Sequence, residues 1–369
     1  MLEKVRINTE GVTKKIFGIQ YLRGIAAILV VMSHVNGMSS FPKYFSVPIF
    51  KGRLSSASNH VDLGIEGVYL FFVISGFIMT YTSLAPSTLL PRIATFPFLR
   101  KRVVRILPFM WFAILLFAVV RFLTLKIFPI ENYLRALFLF PIGALEPKQI
   151  WTLRHEFLFY SIFCLTLISF KKLKPLLYLW FLSPIFITAI ELKLTSNSLG
   201  SFLFSKYNIL FGLGYIAGVI HLKGYWPRQW KTNLLFSICI ILILFELVCI
   251  HFLKQTAESD GLLHLFTSGA ICAIVLLTTN ALTIEKDSSL HKIALLIGDA
   301  SYSIYLTHGI FIAGVLKIWS SIQPQPHPLL ILVVVSLICI IAGIIFHIFV
   351  EKPLTQNISL RLRKEKNSR

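Results

Sequence analysis

Residues Tyr21 to Val35 read YLRGIAAILVVMSHV, an apolar run that carries an arginine and a histidine. Read as a helix, it places Arg23 and His34 11 residues apart, close to three turns of 3.6, so both side chains leave the same side. At about 1.5 Å per residue they stand about 16 Å apart along the axis. Extended to residues 16–36, the run has about the 20 residues that cross a hydrocarbon core of about 30 Å. Ionisable groups at that depth are costly and by default mark a site or a pathway. The blander reading is that Arg23 extends to an interface and His34 closes the span. Gly24, Ala26 and Ala27 beside them allow neighbouring helices to come close, which suits a span inside a bundle.

The rest of the chain repeats this pattern. Of 369 residues, 56% are hydrophobic, 32 are phenylalanine and only 14% are charged; the mean hydropathy is +0.77. A soluble domain cannot bury that much apolar surface, so the expected fold is all-α, a polytopic membrane bundle. Ten spans are expected, near 16–36, 61–82, 104–123, 151–170, 175–192, 202–221, 233–253, 261–283, 298–319 and 329–350. The segment 132–145, NYLRALFLFPIGAL, is short and interrupted by Pro141 and Gly143, which makes it an interfacial or re-entrant piece.

The net charge of +20 is distributed as the positive-inside rule requires and does not call for nucleic acid. With both termini cytoplasmic, 23 Lys and Arg fall on the inner side and 8 on the outer, leaving Arg23, Arg121, Arg154, Lys206 and Lys317 within spans. Arg121 and Lys317, near span ends, suit extension to the interface. His251 and His347, also near ends, read as structural. The first fifteen residues show no small-residue cleavage site, so the first span is expected to be retained. Cys164, Cys239, Cys249, Cys272 and Cys339 all lie in spans without a CxxC pair, and read as apolar filler with neither disulfide nor metal. A cytoplasmic segment 1–15, one membrane domain 16–353 and a basic cytoplasmic tail 354–369 are expected.

Further polar groups gather in a few stretches. Span two carries Asp62 and Glu66 at its outer end and the small pair Ser75–Gly76 deeper, suited to tight packing or ligand approach. FLRKRVVRILP, residues 98–108, holds Arg100, Lys101, Arg102 and Arg105, a cluster suited to phosphates and equally to inner-face topology. WTLRHEFLFY, residues 151–160, carries Glu156 with Tyr160 one turn on. Arg154 and His155 flank that glutamate, and a local ion pair is the plain alternative. On this topology His34, Glu66 and Glu156 share the outer part of the membrane. The glycines of FGLGYIAG, residues 211–218, suggest close packing. GDASYSIYLTHGIF, residues 298–311, places His308 near mid-membrane, and Glu351 sits beside the inner interface in FVEKPL.

In this order, YLRGIAAILVVMSHV, FFVISGF, KRVVRILP, WTLRHEFLFY, SYSIYLTH and VEKP resemble the acyltransferase 3 family of membrane O-acyltransferases over roughly residues 18–353. The resemblance implies transfer of an acyl group, commonly acetyl from acetyl-CoA, to a carbohydrate hydroxyl at the far side of a bacterial cytoplasmic membrane. It implies that His34 is the catalytic histidine and Arg23 its companion. Lys101, Arg102 and Arg105 then form the basic motif of the acyl donor, and Glu156, Glu351, Tyr302, Tyr305 and His308 belong to further motifs. No metal is implied. Many relatives have an Asp where this chain has Tyr69, so this chain must do without it or use Glu66 or Asp62; a carboxylate such as Glu66 or Glu156 could orient the ring of His34.

The chemistry this permits is proton acceptance by neutral His34 from a sugar hydroxyl that attacks the thioester, or transfer through an acylated His34. Capsule, peptidoglycan or a small glycosylated metabolite would suit as acceptor, and the expected one is a surface glycan such as lipopolysaccharide O-antigen or another exopolysaccharide, or a lipid-linked glycan. A sugar flippase is the competing reading, and internal repeat symmetry, its usual sign, is not visible.

Overall fold

The computed structural model describes residues 16–41, 43–45, 62–126, 128–190, 194–196, 198–225, 237, 261–279, 288–322 and 327–367. The segment 1–15 and nearly all of the expected span 233–253, with Cys239, Cys249 and His251, lie outside the described residues. The helices are α1 (Phe17–Ser39), α2 (Leu63–Ser83), α3 (Thr95–Leu125), α4 (Ile130–Leu137), α5 (Ile150–Ile168), α6 (Phe170–Ala189), α7 (Leu199–Leu203), α8 (Asn208–Leu222), α9 (Leu262–Thr279), α10 (Ser289–Ile322), α11 (Pro328–Phe346) and α12 (Lys352–Asn367). A π turn, His347–Glu351, joins the last two.

Among the described residues, seven helical stretches are long and apolar enough to cross a membrane. They coincide with the first, second, third, sixth, eighth, ninth and tenth expected spans. The helices α5 and α6, of 19 and 20 residues, occupy the fourth and fifth, and are more polar. Apolar residues cover both sides of the outer helices: α11 buries Ile331, Val335 and Cys339 while exposing Leu330, Val333, Leu337 and Ile341. A helix hydrophobic all round belongs in lipid. The protein is a polytopic helical membrane protein.

At the centre, α1 packs against α2 on one side and α10 on the other, with α8 behind α2 and α11 behind α10. Backbones touch at these contacts. A Cβ added to Gly214 would collide with the Val73 carbonyl, and one added to Gly298 with the Gln20 carbonyl. The glycines of residues 211–218 thus do what their spacing suggested.

Two helices run beyond their expected limits. The helix α3 begins at Thr95 and α10 at Ser289, so FLRKRVVRILP is helical, with Pro108 inside it. The segment after α3 folds back: Trp111 Nε1 donates to the Leu137 carbonyl at 2.9 Å, although Trp111 is only about 24 Å along α3 from Thr95. Arg121 pairs with Glu146 at 2.6 Å in place of the interfacial reach expected of it. Arg154 donates to the carbonyls of Pro141 and Gly143 at 3.2 and 3.0 Å, not to a neighbouring carboxylate. The re-entrant reading of residues 132–145 fits this path, and α5 starts deep in the bundle as a result.

Replacing Gly214 by Leu is expected to separate α8 from α2 at a cost of about 1–3 kcal/mol, read as a lower melting temperature in detergent. Gly314→Ala, where an added Cβ meets nothing within 4 Å, should leave that temperature unchanged or raised.

Candidate active site

Helices α1, α2, α3, α5 and α10 border a cavity of about 70 Å³ whose polar lining comes from Arg23, Ser75, Arg105, Thr152, Glu156, Tyr160, Ser301, Tyr302 and Tyr305. Glu156 is its fixed point. One carboxylate oxygen, Oε1, accepts from Ser75 Oγ at 2.6 Å and from the Tyr160 hydroxyl. The expected placement of Glu156 beside His34 in the outer part of the membrane does not hold: Glu156 shares its cavity with Arg23 and Arg105. The cause is the re-entrant segment, which starts α5 deeper than a simple crossing would.

On α10 the aromatic residues are already committed. Tyr302 donates to the Ile106 carbonyl at 2.8 Å. The Tyr305 hydroxyl donates to the Gln149 carbonyl at 3.0 Å and shares a 2.7 Å hydrogen bond with Thr152 Oγ1. Gln149 Nε2 returns a bond to the Leu306 carbonyl at 3.1 Å. These contacts lock α10 to the start of α5.

Glu351 is held by a side chain of α10 and by one of its own turn. Its Oε2 accepts from Ser303 Oγ and from His347 Nδ1, each at 2.7 Å. The π turn carries both His347 and Glu351 towards α10, so His347 serves Glu351 and is more than a helix-end residue. Arg23 lies within electrostatic reach of Glu156, Glu351, Asp299 and Arg105.

The members of the basic cluster have different surroundings. Arg102 is buried, donates to Thr82 Oγ1 at 3.2 Å and lies over the rings of Phe98 and Tyr160, 5.6 and 5.7 Å from their centroids. Arg105, one turn on, faces the cavity, whereas Lys101 is exposed. Lys101 and Arg105, four residues apart, share a side of α3 and differ in exposure.

His34 stands apart from the cavity and is exposed. Its Nδ1 bonds the Val30 carbonyl at 2.9 Å. A carbonyl only accepts, so Nδ1 carries the proton and the neutral ring keeps its lone pair on Nε2. The ring of His308 meets it edge to face at 4.8 Å. His308 is buried and bonds the Tyr305 carbonyl through its own Nδ1 at 2.6 Å. Arg23 and His34 therefore both face α10, as a spacing of three turns implies.

The carboxylates considered for His34 are engaged elsewhere. Glu66 lies 2.9 Å from His264 Nε2 and accepts from Ser268 Oγ at 3.3 Å. Asp62 caps α2 by accepting from Gly64 N at 2.8 Å, and takes Ser33 Oγ at 2.6 Å. Tyr69 is fully buried, its ring near those of Tyr207 and His264. Ser301, Gln149, Thr152 and His264 were not singled out from sequence. Ser301 sits within a quoted motif, but nothing in its spacing separated it from Ser303. Among the described residues, no group of three or more His, Cys, Asp or Glu is placed to hold a metal, and Cys164, Cys272 and Cys339 are free thiols.

The model of the acyltransferase 3 family, described as an acyltransferase domain, matches residues 16–347. This chain belongs to the acyltransferase 3 family. The match spans α1 to the start of the π turn, and so covers the cavity, His34 and His308. A similar protein is the exopolysaccharide production protein ExoZ of Rhizobium meliloti (strain 1021), 29% identical over 314 residues, which are 80% of this chain and 91% of that protein. No solved structure matches. Membership makes the protein an enzyme that transfers acyl groups.

Tyr305→Phe removes the hydroxyl shared by Thr152 and Gln149. It should cost about 1–3 kcal/mol, visible as earlier thermal unfolding of the purified protein, with the α-helical circular dichroism below that temperature unchanged.

Proposed function

We propose that this protein is a multi-pass O-acetyltransferase of a bacterial cytoplasmic membrane. It moves an acetyl group from cytosolic acetyl-CoA to a hydroxyl of a surface glycan, such as lipopolysaccharide O-antigen or another exopolysaccharide. The observation that carries the reading is His34: its Nδ1 is held by the Val30 carbonyl, and its Nε2 has the lone pair a general base needs. The exposure of His34 supports access for a bulky acceptor. The name of ExoZ, a protein of exopolysaccharide production, supports a polysaccharide as that acceptor. The distribution of Lys and Arg supports cytoplasmic termini.

In this reading the start of α1 is the cytoplasmic end and Ser39 the far end. Acetyl-CoA enters beside α3, where Lys101 and Arg100 meet its phosphates, and the pantetheine arm passes Arg23 towards His34. The sugar hydroxyl gives its proton to Nε2 while its oxygen attacks the thioester carbonyl. A carbon–oxygen bond forms, the carbon–sulfur bond breaks, and the thiolate takes the proton from the imidazolium. The products are an acetyl ester and free CoA. His308, packed on His34, keeps the ring in place, and the Val30 carbonyl fills the orienting role that a carboxylate has in a catalytic triad.

The decisive experiment uses the purified protein in lipid nanodiscs with acetyl-CoA and surface polysaccharide from the producing cells. Thiol release that needs the acceptor, and new O-acetyl signals in the NMR spectrum of the glycan, are expected. His34→Ala should lower the rate by at least about 10²-fold while the protein inserts and accumulates normally; a fully active variant removes the catalytic assignment. A flippase would relocate glycan without releasing CoA.

A further inference from the structure

The cavity holds more polar groups than its own hydrogen bonds use. Ser301 Oγ is fully buried and, among the described residues, has no partner. Glu156 has both its bonds on Oε1, which leaves Oε2 without one. Arg23 and Arg105 line the same space, and among the described residues neither has a hydrogen-bond or ion-pair partner. Tyr302, Tyr305 and Thr152, by contrast, are spent on backbone carbonyls and on each other. A buried hydroxyl left open like that of Ser301 is costly unless something fills the space beside it.

The set selects its occupant. Two guanidinium groups donate, a carboxylate oxygen accepts, and a serine hydroxyl does either. A phosphate is opposed by the Glu156 carboxylate, with Glu351 and Asp299 close enough to act on Arg23. Size argues the same way. A volume of about 70 Å³ holds about five to seven waters, comparable to one amide with its flanking methylenes and far short of a nucleotide. A secondary amide has the one donor and one acceptor that the lining complements. The place is right for the donor: the cavity sits by Arg23, about 16 Å along α1 from His34, where a thioester-bearing arm must pass.

We propose that this cavity seats an amide of the acyl donor's pantetheine arm. Glu156 Oε2 accepts the amide N–H, and Ser301, Arg23 and Arg105 surround its carbonyl. Arg105 is then an arm ligand, not a phosphate ligand, and Ser301 is a donor-binding residue outside the basic motif. This rests on the coenzyme A reading above.

The two halves of the donor test it as inhibitors of acceptor-dependent CoA release by the protein in nanodiscs: pantetheine for the arm, and adenosine 3′,5′-bisphosphate for the nucleotide. Ser301→Ala should weaken inhibition by pantetheine about 2- to 10-fold, the range of one neutral hydrogen bond, and leave inhibition by the bisphosphate unchanged. Lys101→Ala should show the reverse. Should Ser301→Ala fail to accumulate, Ser301→Cys, of similar size and a weaker donor, takes its place. The proposal is overturned if pantetheine does not compete with acetyl-CoA in the wild type, or inhibits wild type and variant equally. It is also overturned if Ser301→Ala changes only the KM for the glycan, which would make the cavity an acceptor site. Absence of acceptor-dependent CoA release from the wild type would strike the acetyltransferase reading itself, a different result from any of these.

Discussion

The guanidinium of Arg154 binds the carbonyls of Pro141 and Gly143, and the depth of the whole site depends on that clasp. Non-helical backbone is tolerated inside a membrane protein only where its carbonyls and amides find partners within the protein. Arg154 supplies them on one side, and Trp111 and the Arg121–Glu146 pair anchor the rest. With the segment held inside, α5 begins among the other helices. Gln149 and Thr152 then reach Tyr305, and Glu156 reaches Ser75. Had the chain crossed straight from α3 to α5 at the surface, Glu156 would stand about level with His34 and the cavity would lack its carboxylate.

Two stations result, joined by α1 and α10. At one, polar groups converge from five helices around a small space; at the other, His34 and His308 meet ring to ring. Tyr305 belongs to both, since its side chain lines the cavity and its carbonyl holds His308. Backbone contact at Gly298 keeps α10 close to α1, so the stations keep a fixed separation. Each station uses a different economy of bonding: the histidines rely on carbonyls of their own helices, the cavity on side chains from distant ones.

Much of this was legible in the sequence. Apolar runs of span length marked the helices, and the three-turn spacing of Arg23 and His34 set both against α10. The interrupted segment 132–145 was readable as re-entrant because Pro141 and Gly143 break its helix. Its consequence for Glu156 was not readable, because depth was counted from the surface and a re-entrant turn resets that count. The contact of Glu351 with Ser303 was not readable either: a π turn adds a residue without leaving a signal in composition. Glu66 lay beside His34 in a depth count, but its contact with His264 joins residues 198 positions apart, and no local pattern encodes that. The basic cluster looked like one site because its members are adjacent in sequence, whereas in the structure Arg102 is buried over Phe98 and Tyr160, Arg105 lines the cavity and Lys101 is exposed.

The π turn has a meaning for helical phase. From Pro328 to Asn367 the chain continues as helix through α11, His347–Glu351 and α12. The π turn offsets the two α-helical parts by about one residue, or about 100° of rotation. The face that α11 lays against α10 and the face that carries Glu351 are therefore related by a register that an uninterrupted α-helix does not have. An uninterrupted α-helix through the same residues would turn the Glu351 carboxylate away from Ser303, to which the π turn delivers it.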